Sequence, residues 1–218
     1  MHLFGLYYRS GSVKFGSFRL AARLDNPDLE ESPIYLHYPK PDEPGAELLP
    51  ELYALVGSLV NEFLPQQGPP VVFTHIAGVP KGADPLAQAY AEYLVAHWPD
   101  VLVKFIKDES GENTVFRLAS PMEVSEGAQL LPIEDHTSGG RNKKLFFSAA
   151  EQAGFEVFDM LTVVYRQQGA IEALAAMGVR LLCLSILDEM LDYGVKVGHI
   201  TQEAADEVRA YIARNQIG

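Results

Sequence analysis

Gln129-Leu-Leu-Pro-Ile-Glu-Asp-His-Thr-Ser-Gly-Gly140 is an apolar run that ends in two adjacent carboxylates, followed at once by hydroxyls and a glycine pair. The run from Gln129 to Ile133 reads as a strand buried on both faces, and Arg141 to Ala153 reads as a helix, so the glycines fall at a strand-to-helix turn. Glu134 and Asp135 then sit at the carboxyl edge of a sheet. Backbone N–H groups of a glycine-rich turn that opens a helix point outward and favour an anion such as phosphate. Carboxylates repel phosphate; their targets are sugar hydroxyls, or a divalent cation with its waters. The pattern suits a phosphorylated sugar, and the bland alternative is an ordinary turn with a solvated acidic pair.

Outward from this stretch, strand-like and helix-like segments alternate. Pro33 to Tyr38 reads as a short strand after the weakly alternating Val13 to Leu20, and prolines 39, 41 and 44 end it. Ala46 to Leu64 carries Leu48, Leu52, Leu55, Val56, Leu59, Val60 and Phe63 at helical spacing. Strand Pro70 to His75, helix Asp84 to His97 and strand Val101 to Ile106 follow, and after residue 129 come strand Phe155 to Tyr165, helix Ala170 to Met177 and strand Arg180 to Leu184. Such alternation predicts an α/β fold with a mainly parallel central sheet flanked by helices. The C-terminal region reads as helical over Ile186 to Asp192 and Thr201 to Asn215, with Thr201 as N-cap. Lys107 to Gly127 is polar and long for a connection, which reads as a lid or mobile hairpin.

The 218 residues suffice for one full α/β domain, and we expect one compact unit: an appendage over residues 1–45 and a core over 46–218. A hydrophobic fraction of 48% with ten tyrosines and eleven phenylalanines excludes a disordered chain, and no apolar run approaches a membrane span. No secretion signal is legible, so a cytoplasmic location is expected. A formal charge of −12 argues against general nucleic-acid binding, though not against an anionic substrate held by a few local cations. Cys183, the single cysteine, reads as a buried small hydrophobe within Leu181-Leu-Cys-Leu184. His2, His37, His97 and His199 form no ligand spacing with it, and no structural zinc site is expected. His75 reads as a packed histidine, and Trp98 as the anchor of a helix end.

Three further stretches could carry chemistry. Ala77-Gly-Val-Pro-Lys-Gly-Ala-Asp84 lies between a strand and a helix, where Gly78 and Gly82 permit close backbone approach and Lys81 supplies a cation for a second phosphate group. Lys104 and Lys107, at the start of the lid segment, are rare cations in an acidic chain and could close over developing negative charge. Arg166, at the carboxyl end of a strand, could make a bidentate contact with a carboxylate or ring carbonyl. All of these fall on the sheet edge where open α/β folds bind ligands.

In the order and spacing of these segments the chain resembles the orotate phosphoribosyltransferases, a branch of the type I phosphoribosyltransferases. Phe15 to Leu20 and Ser32-Pro-Ile-Tyr35 resemble the family's N-terminal hood, Ala77 to Ala87 its pyrophosphate loop, Glu134 to Gly140 its phosphoribosyl-diphosphate motif, and Val164 to Ala170 with Leu187 to Tyr193 its C-terminal region. The resemblance implies transfer of ribose 5-phosphate from phosphoribosyl diphosphate to orotate, with Mg2+ present and no direct side-chain ligand to the metal, in a cytoplasmic homodimer. It implies that Glu134 and Asp135 hold the ribose hydroxyls, that Thr137, Ser138, Gly139 and Gly140 grip the 5-phosphate, and that Lys81 and Gly82 meet the diphosphate. Asp135, Lys104 and Lys107 would carry catalysis, and Arg166 and Tyr35 would meet the acceptor.

The chain departs from the family in places. Only His136 separates Asp135 from Thr137, where the family usually has two residues; Ala21 falls at a lysine position, with Arg23 nearby; His37 and Tyr38 stand at an aspartate and an arginine position. In the lid, Lys104, Lys107 and Glu109 replace a richer set of cations, which should weaken diphosphate stabilisation. The alternatives are a phosphoribosyltransferase with another acceptor base, or a nucleotide-binding or regulatory protein of the same fold.

Overall fold

The computed structural model describes residues 2–19, 30–79, 82–97, 104–106, 127–139 and 141–216. The lid segment 107–126 together with Ala21, Arg23, Lys81, Trp98, Lys107, Glu109 and Gly140 lies outside the described residues.

Five parallel strands make the central sheet, in the spatial order β4 (Lys104–Ile106), β3 (His75–Gly78), β5 (Leu130–Thr137), β6 (Asp159–Tyr165), β7 (Arg180–Ile186). Helices α3 (Asp84–His97), α4 (Arg141–Gln152) and α5 (Ala170–Ala175) separate consecutive strands, as parallel pairing requires. Every residue of β6 is buried, which explains its unbroken Asp-Met-Leu-Thr-Val-Val-Tyr run: a strand with neighbours on both sides and layers on both faces has no solvent face to make polar. The chain passes from β3 to β4 on one side and then returns to place β5 on the other. The carboxyl ends of β3 and β5 therefore flank a topological switch point, the crevice where open α/β sheets take ligands.

A two-stranded antiparallel ribbon, β1 (Val13–Phe18) and β2 (Ser32–Leu36), stands apart from this sheet. Helix α2 (Leu49–Phe63) follows a short 3-10 turn, carries Pro50 in its first turn where a missing N–H costs nothing, and buries Leu52, Val56 and Val60 along one stripe. Helices α6 (Leu187–Lys196) and α7 (Gln202–Arg214) close the fold, and the Thr201 hydroxyl accepts the Ala204 N–H as the N-cap of α7. Among the described residues no helix is long and apolar enough to cross a membrane.

The predicted α/β alternation is present, with shifted boundaries. Helix α1 (His2–Arg9) was not anticipated, because Gly5 and paired tyrosines are poor helix formers; its hold is tertiary, through Leu3, Leu6 and Tyr7 at i, i+3, i+4, all buried. Strand β3 begins at His75 rather than Pro70, since Pro69 and Pro70 have no N–H for a ladder and Val72 is left 63% exposed. Strand β6 begins at Asp159 rather than Phe155; Glu156 makes only an isolated bridge to Gln129. Strand β5 runs four residues beyond the expected end at Ile133 and takes the acidic pair into the sheet, with Glu134 opposite Thr162, His136 opposite Val164 and Thr137 opposite Tyr165.

His75 packs edge-on against Phe155 at 4.8 Å, in keeping with a structural role. Cys183 lies within β7, and burial pushes its thiol up to about 11. Alkylation of Cys183 by iodoacetamide at pH 8 should therefore run at least about tenfold slower than that of a free cysteine, from the smaller thiolate fraction. A rate within a few-fold of free cysteine would show that the thiol is not shielded.

Candidate functional site

At the end of β3 the backbone turns so tightly that a side chain at Gly78 would place its first carbon 2.4 Å from the Asp84 nitrogen. Only glycine lets α3 start directly over the strand end. The same turn carries Gly82 to β5: a first side-chain carbon there would lie 2.6 Å from Asp135 Oδ2. The two glycine-containing motifs, which are far apart in sequence, thus meet at the switch point, where the Asp135 carboxylate lies against Gly82.

The two acids of the pair have different surroundings. Glu134 is 8% exposed, and both its oxygens are engaged: Lys143 Nζ lies 2.5 Å from Oε1, and the Thr137 hydroxyl donates to Oε2. Burial pushes the Glu134 carboxyl above its usual value, against the attraction of Lys143, which favours the ionised form. Asp135 keeps 20% of its side chain exposed. Its Oδ1 accepts the His136 backbone N–H at 2.7 Å, and Oδ2 lies 3.2 Å from His136 Nδ1. Burial alone would raise Asp135, but the adjacent His136 and, more distantly, Lys143 outweigh it and hold the carboxyl below its usual range.

His136 is the single residue between the acids and Thr137, and its side chain is 8% exposed. Its ring packs against Tyr7 at 5.9 Å and Tyr38 at 5.6 Å, and Nε2 has no hydrogen-bond partner among the described residues. The Tyr7 and Tyr38 hydroxyls lie 2.8 Å apart, and burial raises both phenols well above their ordinary value, so they remain protonated hydrogen-bonding groups. Beside them is His37, whose two ring nitrogens are buried without partners; burial, with Lys14 near it, lowers its affinity for a proton. Tyr35, 39% exposed, stacks on Phe18 at 5.5 Å and meets His37 edge-on at 5.2 Å.

Arg166 follows β6 directly. Its N–H donates to the Thr137 carbonyl at 2.8 Å, which fixes it beside the end of β5. The guanidinium is 4% exposed and donates to the Ser32 hydroxyl at 3.2 Å, while Nε has no partner and no carboxylate pairs with it among the described residues. Burial pulls its proton affinity down to about 10, so it is still a cation at neutral pH. A buried guanidinium without an anion is an arrangement that a bound carboxylate would complete.

Of the residues singled out in the sequence, the structure brings Gly82, Asp135, Ser138 and Gly139 to one edge, with Arg166 alongside and Tyr35 on the ribbon. Thr137 is fully buried with its hydroxyl on Glu134, so the half-buried Ser138 and Gly139 make up the described part of the turn. Lys104 opens β4, the strand on the far side of β3 from β5. Lys143, Ser32 and Tyr7 were not identified from the sequence. A lysine in a helix's first turn reads as solvated, and only Leu3, Leu6 and Tyr7 at helical spacing gave a signal for the third.

A parallel sheet whose switch point presents an acidic strand end and a glycine turn opening a helix is the type I phosphoribosyltransferase fold. The orotate phosphoribosyltransferase of Methanoculleus marisnigri is 31% identical over 86% of this chain and 95% of its own length. The crystal structure of orotate phosphoribosyltransferase from Aeropyrum pernix superposes with a TM-score of 0.64 at 22% identity, over 91% of this chain and 99% of that one. Leishmania donovani UMP synthase superposes with a TM-score of 0.77 at 24% identity; 98% of this chain matches 42% of that longer one. No family model matches the sequence. The chain belongs to the orotate phosphoribosyltransferase family.

Because Arg166 is buried with no counter-ion among the described residues, its replacement by methionine should stabilise the free protein by about 1 kcal/mol and raise its melting temperature by roughly 3 °C. A melting temperature lowered by several degrees would mean that the Ser32 contact outweighs the desolvation of the guanidinium.

Proposed function

We propose that the protein is an orotate phosphoribosyltransferase: it transfers ribose 5-phosphate from phosphoribosyl diphosphate to a ring nitrogen of orotate, giving orotidine 5'-monophosphate and pyrophosphate. The observation that carries this reading is the meeting of Asp135 with the Gly82 turn, beside a buried arginine that has no carboxylate partner among the described residues. Asp135, held ionised, accepts hydrogen bonds from the ribose hydroxyls and orients the anomeric carbon. Ser138, Gly139 and Gly140 take the 5-phosphate at the start of α4, where backbone N–H groups are unpaired. Gly82 and Lys81 meet the diphosphate, and Lys107 offsets the negative charge that grows on it as the anomeric C–O bond breaks; Lys104 opens β4 opposite His75, at the amino end of β3 and away from this edge. Arg166 pairs with the carboxylate of orotate, and Tyr35 stacks on the ring.

Mg2+ would enter with the diphosphate, and the ionised, partly exposed Asp135 would be the residue to hold it through a water. The ion would neutralise charge on the leaving group. Residues 1–45 serve as the hood over the acceptor, and the lid of a second copy serves the site in a cytoplasmic homodimer.

Titration with phosphoribosyl diphosphate and Mg2+ should show donor binding, and addition of orotate should yield orotidine monophosphate. Donor binding without product from orotate points to a different acceptor base, and absence of donor binding overturns the reading. Asp135→Asn should lower kcat/KM about a hundredfold, the worth of a charge-assisted hydrogen bond or two at the sugar. An unchanged kcat/KM would place the ribose elsewhere.

A further inference from the structure

Glu134 and Asp135 are adjacent in sequence, yet only one is placed to meet a ligand. Glu134 has Lys143 on one oxygen and Thr137 on the other, and both it and Lys143 are more than nine-tenths buried, at 8% and 7% exposure. Among the described residues Lys143 pairs with no other acid. Turning Glu134 toward a sugar would strand the buried ammonium, and an unpaired buried charge is among the costliest defects a fold can carry. Asp135 has no such commitment. Its contacts come from the adjacent His136, and its Oδ2 faces the Gly82 backbone across a gap that no side chain could occupy.

The pair with Lys143 also has a mechanical role. Lys143 lies in the first turn of α4, and Glu134 and Thr137 lie in the last turn-ward half of β5, so the ion pair spans the short turn that holds Ser138 and Gly139. Thr137 in turn accepts the Arg166 N–H on its carbonyl. Lys143, Glu134, Thr137 and Arg166 thus form one connected set, from the start of the helix across the strand end to the arginine of the neighbouring strand.

We propose that Lys143 is a positioning residue, which holds Glu134 as an internal strut across the glycine turn and leaves Asp135 as the one acid of the pair that meets the donor's ribose. This rests on the donor reading given above and divides between two residues a role the sequence assigns to both.

The test compares wild-type protein with Asp135→Asn, Glu134→Gln and the double variant Glu134→Gln/Lys143→Met, by thermal melting and by calorimetric titration with phosphoribosyl diphosphate and Mg2+. Glu134→Gln strands the ammonium and should melt roughly 10 °C below wild type, whereas the double variant, which removes both charges, should regain most of that loss. Its donor Kd should be severalfold weaker than wild type, because the strut across the turn is gone, yet at least about tenfold tighter than that of Asp135→Asn, because the ribose ligand remains. If the double variant melts like wild type but loses donor affinity as fully as Asp135→Asn, Glu134 is a ribose ligand and the division is wrong. If melting shows no recovery in the double variant, the strut is absent. Wild-type protein that binds no donor overturns the donor reading, while the melting comparison still judges the strut by itself.

Discussion

The pairing of β5 with β6 continues without a break through Glu134, His136 and Thr137, and the site is built on that register. Side chains alternate along a strand, so a slip of one residue would exchange the faces of the two acids. The ladder fixes which acid turns toward Lys143 and which toward Gly82. It also bears on the turn: since Thr137 belongs to the sheet and α4 opens at Arg141, Ser138 and Gly139 are the described residues between them.

Charge in the site is settled locally, although the chain as a whole carries a formal net charge of −12. Glu134 and Lys143 neutralise each other away from solvent. Asp135 stays ionised through neighbours on its own strand and the lysine behind it. Arg166 is charged and buried with only a serine hydroxyl in attendance. A negative group and a positive group, both incompletely satisfied, therefore lie on adjacent strands of the same edge, which suits a neutral sugar on one side and an anionic ring on the other.

Much of the fold was legible because β6 and the apolar half of β5 must be hydrophobic on both faces, and α2 must be so on one. The edge glycines were legible for a different reason: Gly78 and Gly82 mark close approaches that only a residue without a side chain allows. What the sequence concealed depends on partners far along the chain. Lys143 looks like any surface lysine until Glu134 is seen beneath it, and Ser32 lies 134 positions from the arginine it contacts. The reach of β5 past Ile133 was hidden because polar residues at a strand end read as a loop, whereas here their backbone pairs and their side chains find one another.

Helix α1 is fastened by Tyr8 and by the buried side chains beside it. The Tyr8 hydroxyl donates to the Met190 carbonyl, its ring stacks on His199 at 4.8 Å and on Tyr193 at 6.3 Å, and Leu6 and Tyr7 are fully buried in the shared core. With so many contacts to break, α1 acts as a fixed wall on the His136 side of the site rather than as a door. Any widening of the crevice would have to come from segments other than α1.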